Sequence, residues 1–213
     1  MIFDLGQITS HFDIKIKGVI HVGAFVGEEL LAYRSLGLTN TLLFEPQKHL
    51  YEIVSNKCLA DERVFNVALG SHPHTAEMYI SHTEGGVENG SGASSSLYRP
   101  KKHLTEHPQV KFNTKEEVRV ECLDHFLEDN NIGTSGYNFL NIDVQGYELE
   151  VLAGAIKFLP QVDMAIIEVN RDEVYENCPM VGEIDQLMNI HGLGRAHTFW
   201  QSESWGDALY VRT

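Results

Sequence analysis

The eight residues Asn141-Ile142-Asp143-Val144-Gln145-Gly146-Tyr147-Glu148 set an acid at the end of a buried-type apolar run, residues 139–144. Behind it Leu149, Leu152, Ile156 and Leu159 recur at helical spacing until Pro160 stops the helix. An acid there stands where open α/β sheets bind ligands, outside the carboxyl ends of their strands. Removing a carboxylate from water is costly without a donor or charged partner, so Asp143 points to chemistry. Glu168 and Asn170 end the next apolar run, residues 163–169, and can line the same crevice. With Asp143 they form an all-oxygen set of the kind magnesium accepts, a reading less favoured than a site without metal. Hydrogen bonds to loop backbone explain Glu168 and Asn170 equally well.

A second constellation runs from His21 to Glu29 (HVGAFVGEE), between a short strand run, residues 18–24, and a helical stretch, residues 26–36, that stops at Gly37. Gly23 and Gly27 permit a tight turn and close approach of a ligand, and the helix start supplies free N–H donors. The spacing is GxxxG rather than the dinucleotide GxGxxG, and Glu28 and Glu29 would face incoming phosphates. S-adenosylmethionine, with its own ammonium and sulfonium, suits this acidic rim better. The bland alternative is an ordinary turn whose acids complement the helix dipole. Glu45 closes a second strand, residues 41–44, and can accept both hydroxyls of an adenosine ribose. Asn66, Val67 and Ala68 lie on a third, residues 64–69, where an amide and small side chains could border an adenine; simple strand packing explains them too.

These groups need a frame, and the chain alternates strand and helix periods along most of its length. A helix over residues 48–59, a strand over 118–122, a short helix over 123–130 and a helix over 180–190 complete the pattern. Two final strands, 195–200 and 208–212, make a hairpin. The expected fold is α/β: a mainly parallel sheet with helices on both faces and an antiparallel C-terminal strand. We read residues 1–213 as a single domain with a loop insertion at about 71–117, in which residues 75–81 extend the third strand in antiparallel fashion. Residues 84–96, rich in Gly and Ser, read as a mobile loop. Ser94, Ser95 and Ser96 lack a hydrolase nucleophile context and are read as part of a lid. Arg99, Lys101, Lys102 and His103 form a basic cluster, read as solvated surface that could also meet an anionic acceptor.

Composition limits the partners. Sixteen Lys and Arg against thirty Asp and Glu, for a formal charge of −14 over 213 residues, oppose nucleic acid or an anionic membrane as a general partner. No apolar run reaches the roughly 18 residues of a membrane span, and residues 1–17 show no leader pattern. Cys58, Cys122 and Cys178 lie far apart and read as reduced thiols of a cytoplasmic protein. The eleven histidines show no zinc spacing, and no metal site is assigned.

HVGAFVGEE, the acid of LFEP, NVALG and above all FLNIDVQGYELEVLAGA resemble the FkbM family of S-adenosylmethionine-dependent methyltransferases, across residues 18–212. SSSLYRPKKH and WGDALYVR also resemble segments of some members. The resemblance implies a class I methyltransferase (Rossmann-like) fold and O-methylation of a sugar or another small hydroxylated metabolite. By position, Gly23, Ala24 and Gly27 would hold the methionine part of the cofactor, with His21, Glu28 and Ser95 alongside. Glu45 would bind the ribose, Asn66, Val67 and Ala68 would border the adenine, and Asp143 would stand between cofactor and acceptor. His21 replaces an acid usual in the broader fold, and Asn141 and Gln145 stand where many members have Lys and Glu. A protonated hydroxyl is a poor nucleophile, so a base must help remove its proton. Asp143 is the first candidate for that role and Glu168 the second. The alternatives are a NAD-dependent oxidoreductase and an inactive cofactor-binding scaffold. Acceptor identity and oligomeric state are not readable from the residues.

Overall fold

Short apolar runs that alternate with helical segments bury both faces of each strand only if helices cover a parallel sheet on both sides. The computed structural model describes residues 3–213; the first two residues of the stretch read above for a leader lie outside it. The chain begins with α1 (Leu5–His11), β1 (Val19–Val22), α2 (Leu30–Ser35), β2 (Thr41–Phe44), α3 (Lys48–Lys57) and β3 (Glu62–Phe65). Next come β4 (Ala68–Leu69), β5 (His74–His82), α4 (His103–Glu106) and β6 (Lys111–Glu121). It ends with α5 (Leu123–Asp129), β7 (Phe139–Ile142), α6 (Glu148–Ala153), β8 (Met164–Asn170), α7 (Val181–Ile190), β9 (Leu193–Trp200) and β10 (Trp205–Arg212).

Seven strands form the main sheet in the order β3-β2-β1-β7-β8-β10-β9. β10 runs antiparallel to β8 and β9, as expected of the C-terminal hairpin, and the other neighbours are parallel. Every residue of β1, β2, β7 and β8 is buried, and the strand period divides them between two cores. Ile20, Val22, Leu42, Phe44, Leu140 and Ile142 face α5, α6 and α7. Val19, Leu43 and Phe139 face the other side, with Leu5, Leu30, Tyr33 and Val54 from α1, α2 and α3.

The expected third strand is two pieces. β3 belongs to the main sheet, whereas β4 joins a second sheet of order β4-β6-β5. The break falls at Asn66, whose side-chain Nδ2 donates to the Glu45 and Pro46 carbonyls and turns the chain off the sheet. β5 therefore pairs antiparallel with β6 rather than extending β4, and the strand expected at 118–122 begins at Lys111. Residues 84–96 are likewise more structured than a plain loop: a 3-10 turn, Gly86–Asn89, opens a segment hydrogen-bonded to β5 and Gln47.

Two helices are shorter than their periodicity. Phe25 and Gly27 have φ of 48° and 72°, left-handed values that keep α2 from starting before Leu30. α6 ends at Ala153, and the following Gly154 lies against backbone. A Cβ on Gly154 would sit 2.1 Å from the Gly70 carbonyl oxygen, so the contact that brings the second sheet against α6 requires glycine. Gly154→Ala should destabilise the fold by about 1–3 kcal/mol through this overlap. Gly182 in α7 has open space around it, and Gly182→Ala should stabilise by about 0.4–1 kcal/mol. Urea midpoints of the two variants, shifted in opposite directions, check the contrast.

Candidate active site

The carboxyl ends of β1, β2 and β7 converge because these strands are neighbours in parallel register. Gly23, with φ of 85°, passes so close to β7 that a Cβ would lie 1.8 Å from the Asp143 carbonyl oxygen. The turn is pinned on its other side, where the Gly23 and Ala24 N–H groups donate to the Phe44 carbonyl at 3.0 and 3.1 Å. Phe25 then presents its N–H to Glu45 Oε2 at 2.9 Å, and Gln47 presents its own to Oε1 at 2.8 Å. Glu45 is 3% exposed. Burial pushes its carboxyl up to about 8, against the lowering effect of those two N–H donors.

Three cavities meet at this edge, and Asp143 and Ala93 line all of them. The first is a narrow slot of about 40 Å³ beside Glu45, walled by Phe44, Val67, Ala68, Met78 and Tyr147. A strap from Gly92 to Leu97 crosses it. Gln47 Nε2 donates to the Gly92 carbonyl at 3.0 Å, and Ser95 Oγ donates to Gln47 Oε1 at 3.2 Å. The second cavity, about 350 Å³, has Glu28, Glu29, Asp143 and Asp207 on its walls. His21 and Asn141 line it too, and both meet the buried Tyr33 hydroxyl: Asn141 Nδ2 donates to it at 2.9 Å and His21 Nδ1 lies 3.3 Å away. Burial lowers the pKa of His21, which favours a neutral ring.

The third cavity, about 260 Å³, opens on the other side of Asp143 towards Glu168, His103, His107, Gln201 and Trp205. No lysine or arginine lines any of the three. Asp143 is exposed to these cavities, yet protein atoms crowd its carboxyl group, and that wall raises its pKa despite the Gln145 amide beside it. Enclosure raises Glu168 much further, with the charge of Asp143 the next contribution. Gln145 Nε2 donates to Asp143 Oδ1 at 2.7 Å and to Glu168 Oε2 at 2.6 Å. Glu148, fully buried, accepts the Val144 and Gly146 N–H groups on Oε1 and so clamps the turn that carries Gln145.

The structure thus brings His21, Gly23, Glu28, Glu45, Val67, Ala68, Ser95, Asp143 and Glu168 onto cavity walls, and leaves other candidates behind them. Asn66 is exposed and its amide is spent on the Glu45 and Pro46 carbonyls, so it does not reach the slot. Ala24 and Gly27 are buried under the turn; Gly27 packs on Leu30 and Val54 and shapes the loop from behind. Asn170 is fully buried, outside the three linings, and neither of its side-chain polar atoms has a partner among the described residues. Among those residues no group of three or more His, Cys, Asp or Glu is arranged to hold a metal ion. The basic cluster is neutralised on the surface: Arg99 pairs with Glu176, Lys101 with Glu173, and Lys102 with Asp172 and Glu106. The residues alone gave no role to Gln47, to the Gln145 side chain, to Asp207 or to Trp205. Gln145 carried a local signal in the motif of Asp143, as Trp205 and Asp207 did in the WGDALYVR segment, whereas Gln47 carried none.

Glu45 gives the protein a testable pH dependence. It holds its proton more tightly folded than unfolded, so its contribution to stability is complete below about 4.5 and is lost as pH rises through about 8. Glu45→Gln removes this titration. Urea midpoints measured from pH 5 to pH 8 should fall more steeply for the native protein than for the variant, and parallel curves would place the Glu45 pKa near its ordinary value.

Residues 21–199 match the family described as the methyltransferase FkbM domain. The 2-O-methyltransferase NoeI of Sinorhizobium fredii (strain NBRC 101917 / NGR234) is 28% identical over 126 residues, which are 59% of this chain and 51% of that protein. The match spans about half the length of that curated relative. Magnesium protoporphyrin IX methyltransferase (ChlM) from Synechocystis PCC 6803, solved with bound SAM, superposes with a TM-score of 0.52 at 10% identity. That superposition covers 98% of this chain and 76% of the other. TrmK of M. capricolum, solved with S-adenosylhomocysteine, gives a TM-score of 0.52 at 7% identity over 100% of this chain and 69% of its own. At these identities the two structures speak for the fold, the class I methyltransferase sheet. The oxidoreductase alternative gives way to the family match, which covers most of the sheet and all of the Asp143 motif. The chain belongs to the methyltransferase FkbM domain family.

Proposed function

We propose that the enzyme methylates a hydroxyl group of an uncharged, hydroxylated small molecule or glycan unit, with Asp143 as the base. The observation that carries this reading is the position of Asp143, the one titratable side chain shared by all three cavities. The slot suits adenosine: each Glu45 oxygen accepts one backbone N–H and keeps a lone pair for a ribose hydroxyl, between apolar walls. The acid-lined second cavity suits an ammonium and a sulfonium. When bound, S-adenosylmethionine supplies an electrophilic methyl group, and what the protein adds is positioning and proton removal. Asp143 takes the proton of the acceptor hydroxyl as the new C–O bond forms.

The third cavity is the acceptor side of this arrangement. Trp205 offers a flat apolar face, Gln201 offers an amide, and burial holds His103 near a pKa of 4, so its ring is neutral at pH 7. Among the described residues no lysine or arginine lines this cavity, which disfavours anionic acceptors, and the 2-O-methyltransferase relative supports a hydroxyl. The slot is far smaller than the roughly 300 Å³ at which ligand pockets begin, so the strap must lift to admit a nucleoside. The three free thiols suit a cytoplasmic protein.

Release of S-adenosylhomocysteine on adding neutral methyl glycosides tests the reading; release with amines alone would contradict it. Glu45→Ala should weaken S-adenosylhomocysteine binding by about 1–3 kcal/mol in calorimetry, through loss of its hydrogen bonds to the ribose. Unchanged affinity in a folded variant removes Glu45 from the site. Asp143→Asn should lower turnover by about 100-fold or more with a much smaller effect on that affinity. Normal turnover would remove Asp143 as the base.

A further inference from the structure

We propose that Gln145 is a positioning residue that joins Asp143 and Glu168 into one proton-sharing pair and ties that pair to the strap over the slot. The consequence for catalysis rests on the methyl-transfer reading above, whereas the pairing stands on geometry.

A primary amide nitrogen carries two hydrogens, and Gln145 Nε2 places one on each carboxyl group, at 2.7 and 2.6 Å. The Tyr175 hydroxyl lies 2.9 Å from Gln145 Oε1 and donates to it. The opposite amide orientation would set Oε1 against two carboxyl oxygens and Nε2 against a hydroxyl donor, so the network selects one orientation. The backbone is fixed as firmly. Gln145 has φ of 58°, a left-handed conformation that costs energy in a residue other than glycine. Ser96 Oγ donates to its carbonyl at 2.6 Å, and Glu148 holds the N–H groups on either side of it. Gly146 lets Tyr175 come this near, since a Cβ there would lie 3.2 Å from Tyr175 Cβ.

Two carboxyl groups gripped by one amide in an enclosed site resist ionising together. Every other carboxyl that acts on them adds repulsion: Glu148 from α6, Asp207 from β10 and Glu29 ahead of α2. His21 below and His103 across the third cavity have lowered pKa values, and His107 stands beside His103. With no lysine or arginine on the walls, relief comes from a proton held on one member. Glu168, 4% exposed, keeps that proton; Asp143, open to the cavities, carries the charge and faces the acceptor. Tyr175 Oη also lies 2.9 Å from the Ser94 carbonyl, so its hydrogen is shared between the strap and the amide. Lifting the strap loosens Gln145, and closing it sets the pair.

Carboxyl titration by NMR of protein labelled with ¹³C in Asp and Glu tests this without an acceptor. Asp143→Asn identifies the lower of two linked steps in the native enzyme. In Gln145→Leu that step should move up by about one pH unit or more, since the anion loses its donor. Tyr175→Phe should move it in the same direction by less, and decides the matter alone if Gln145→Leu does not fold. Titrations unchanged in folded variants would overturn the proposal. Calorimetry with S-adenosylhomocysteine runs alongside and should give near-native affinity. Failure of the native protein to bind it would undo the functional reading while leaving the titration result to judge the pair.

Discussion

Carboxyl groups accumulate at the carboxyl edge of the central sheet with no lysine or arginine among the described residues that line the cavities there. Two like charges about 4 Å apart cost about 4 kcal/mol at an effective dielectric of 20, so such a cluster cannot stay fully ionised without help. The fold supplies help of three kinds. Backbone N–H groups of Phe25 and Gln47 meet Glu45, those of Val144 and Gly146 meet Glu148, and the Gln145 amide meets Asp143 and Glu168. Protons retained above the usual carboxylate range do the remainder. A positively charged ligand in the second cavity, such as the sulfonium proposed above, would relieve the same repulsion.

The same edge concentrates backbone strain. Phe25 and Gln145 are two of the few residues other than glycine in the left-handed region, and both stand beside acids that line the cavities. Phe25 aims an N–H at Glu45, and Gln145 aims an amide at Asp143 and Glu168. Each distortion is held by neighbours drawn from distant segments: the Phe44 carbonyl for the first turn, Glu148, Ser96 and Tyr175 for the second. Rigidity in the two turns thus comes from tertiary contacts, and the strap is held by backbone bonds of Gly92 and Ser96 to β5 together with the side chains of Gln47, Ser95 and Ser96.

Much of the frame was legible in the residues. Short apolar runs gave β1, β2, β7 and β8 close to their observed bounds, and the polar turn before Trp205 marked the C-terminal hairpin. What escaped depended on contacts between distant segments. The split between β3 and β4 rests on where Asn66 spends its amide, and no local pattern reports that. The contact of Gly70 with Gly154 spans 84 positions, and α6 ends beside it although the apolar spacing continues to Leu159. In the site, acids at strand ends were readable because strand ends are. Tyr175 was not, since a hydroxyl pinning an amide thirty positions away leaves no periodic trace.

The central claim is that three cavities meet at Asp143 and divide the reaction between them. A crystal structure of the enzyme with S-adenosylhomocysteine tests it most directly. The account predicts the adenosine in the slot with its ribose on Glu45, the amino-acid end in the acid-lined cavity, and the sulfur beside Asp143, facing the cavity of Trp205. Density that places the ribose away from Glu45, or the sulfur away from Asp143, would contradict it.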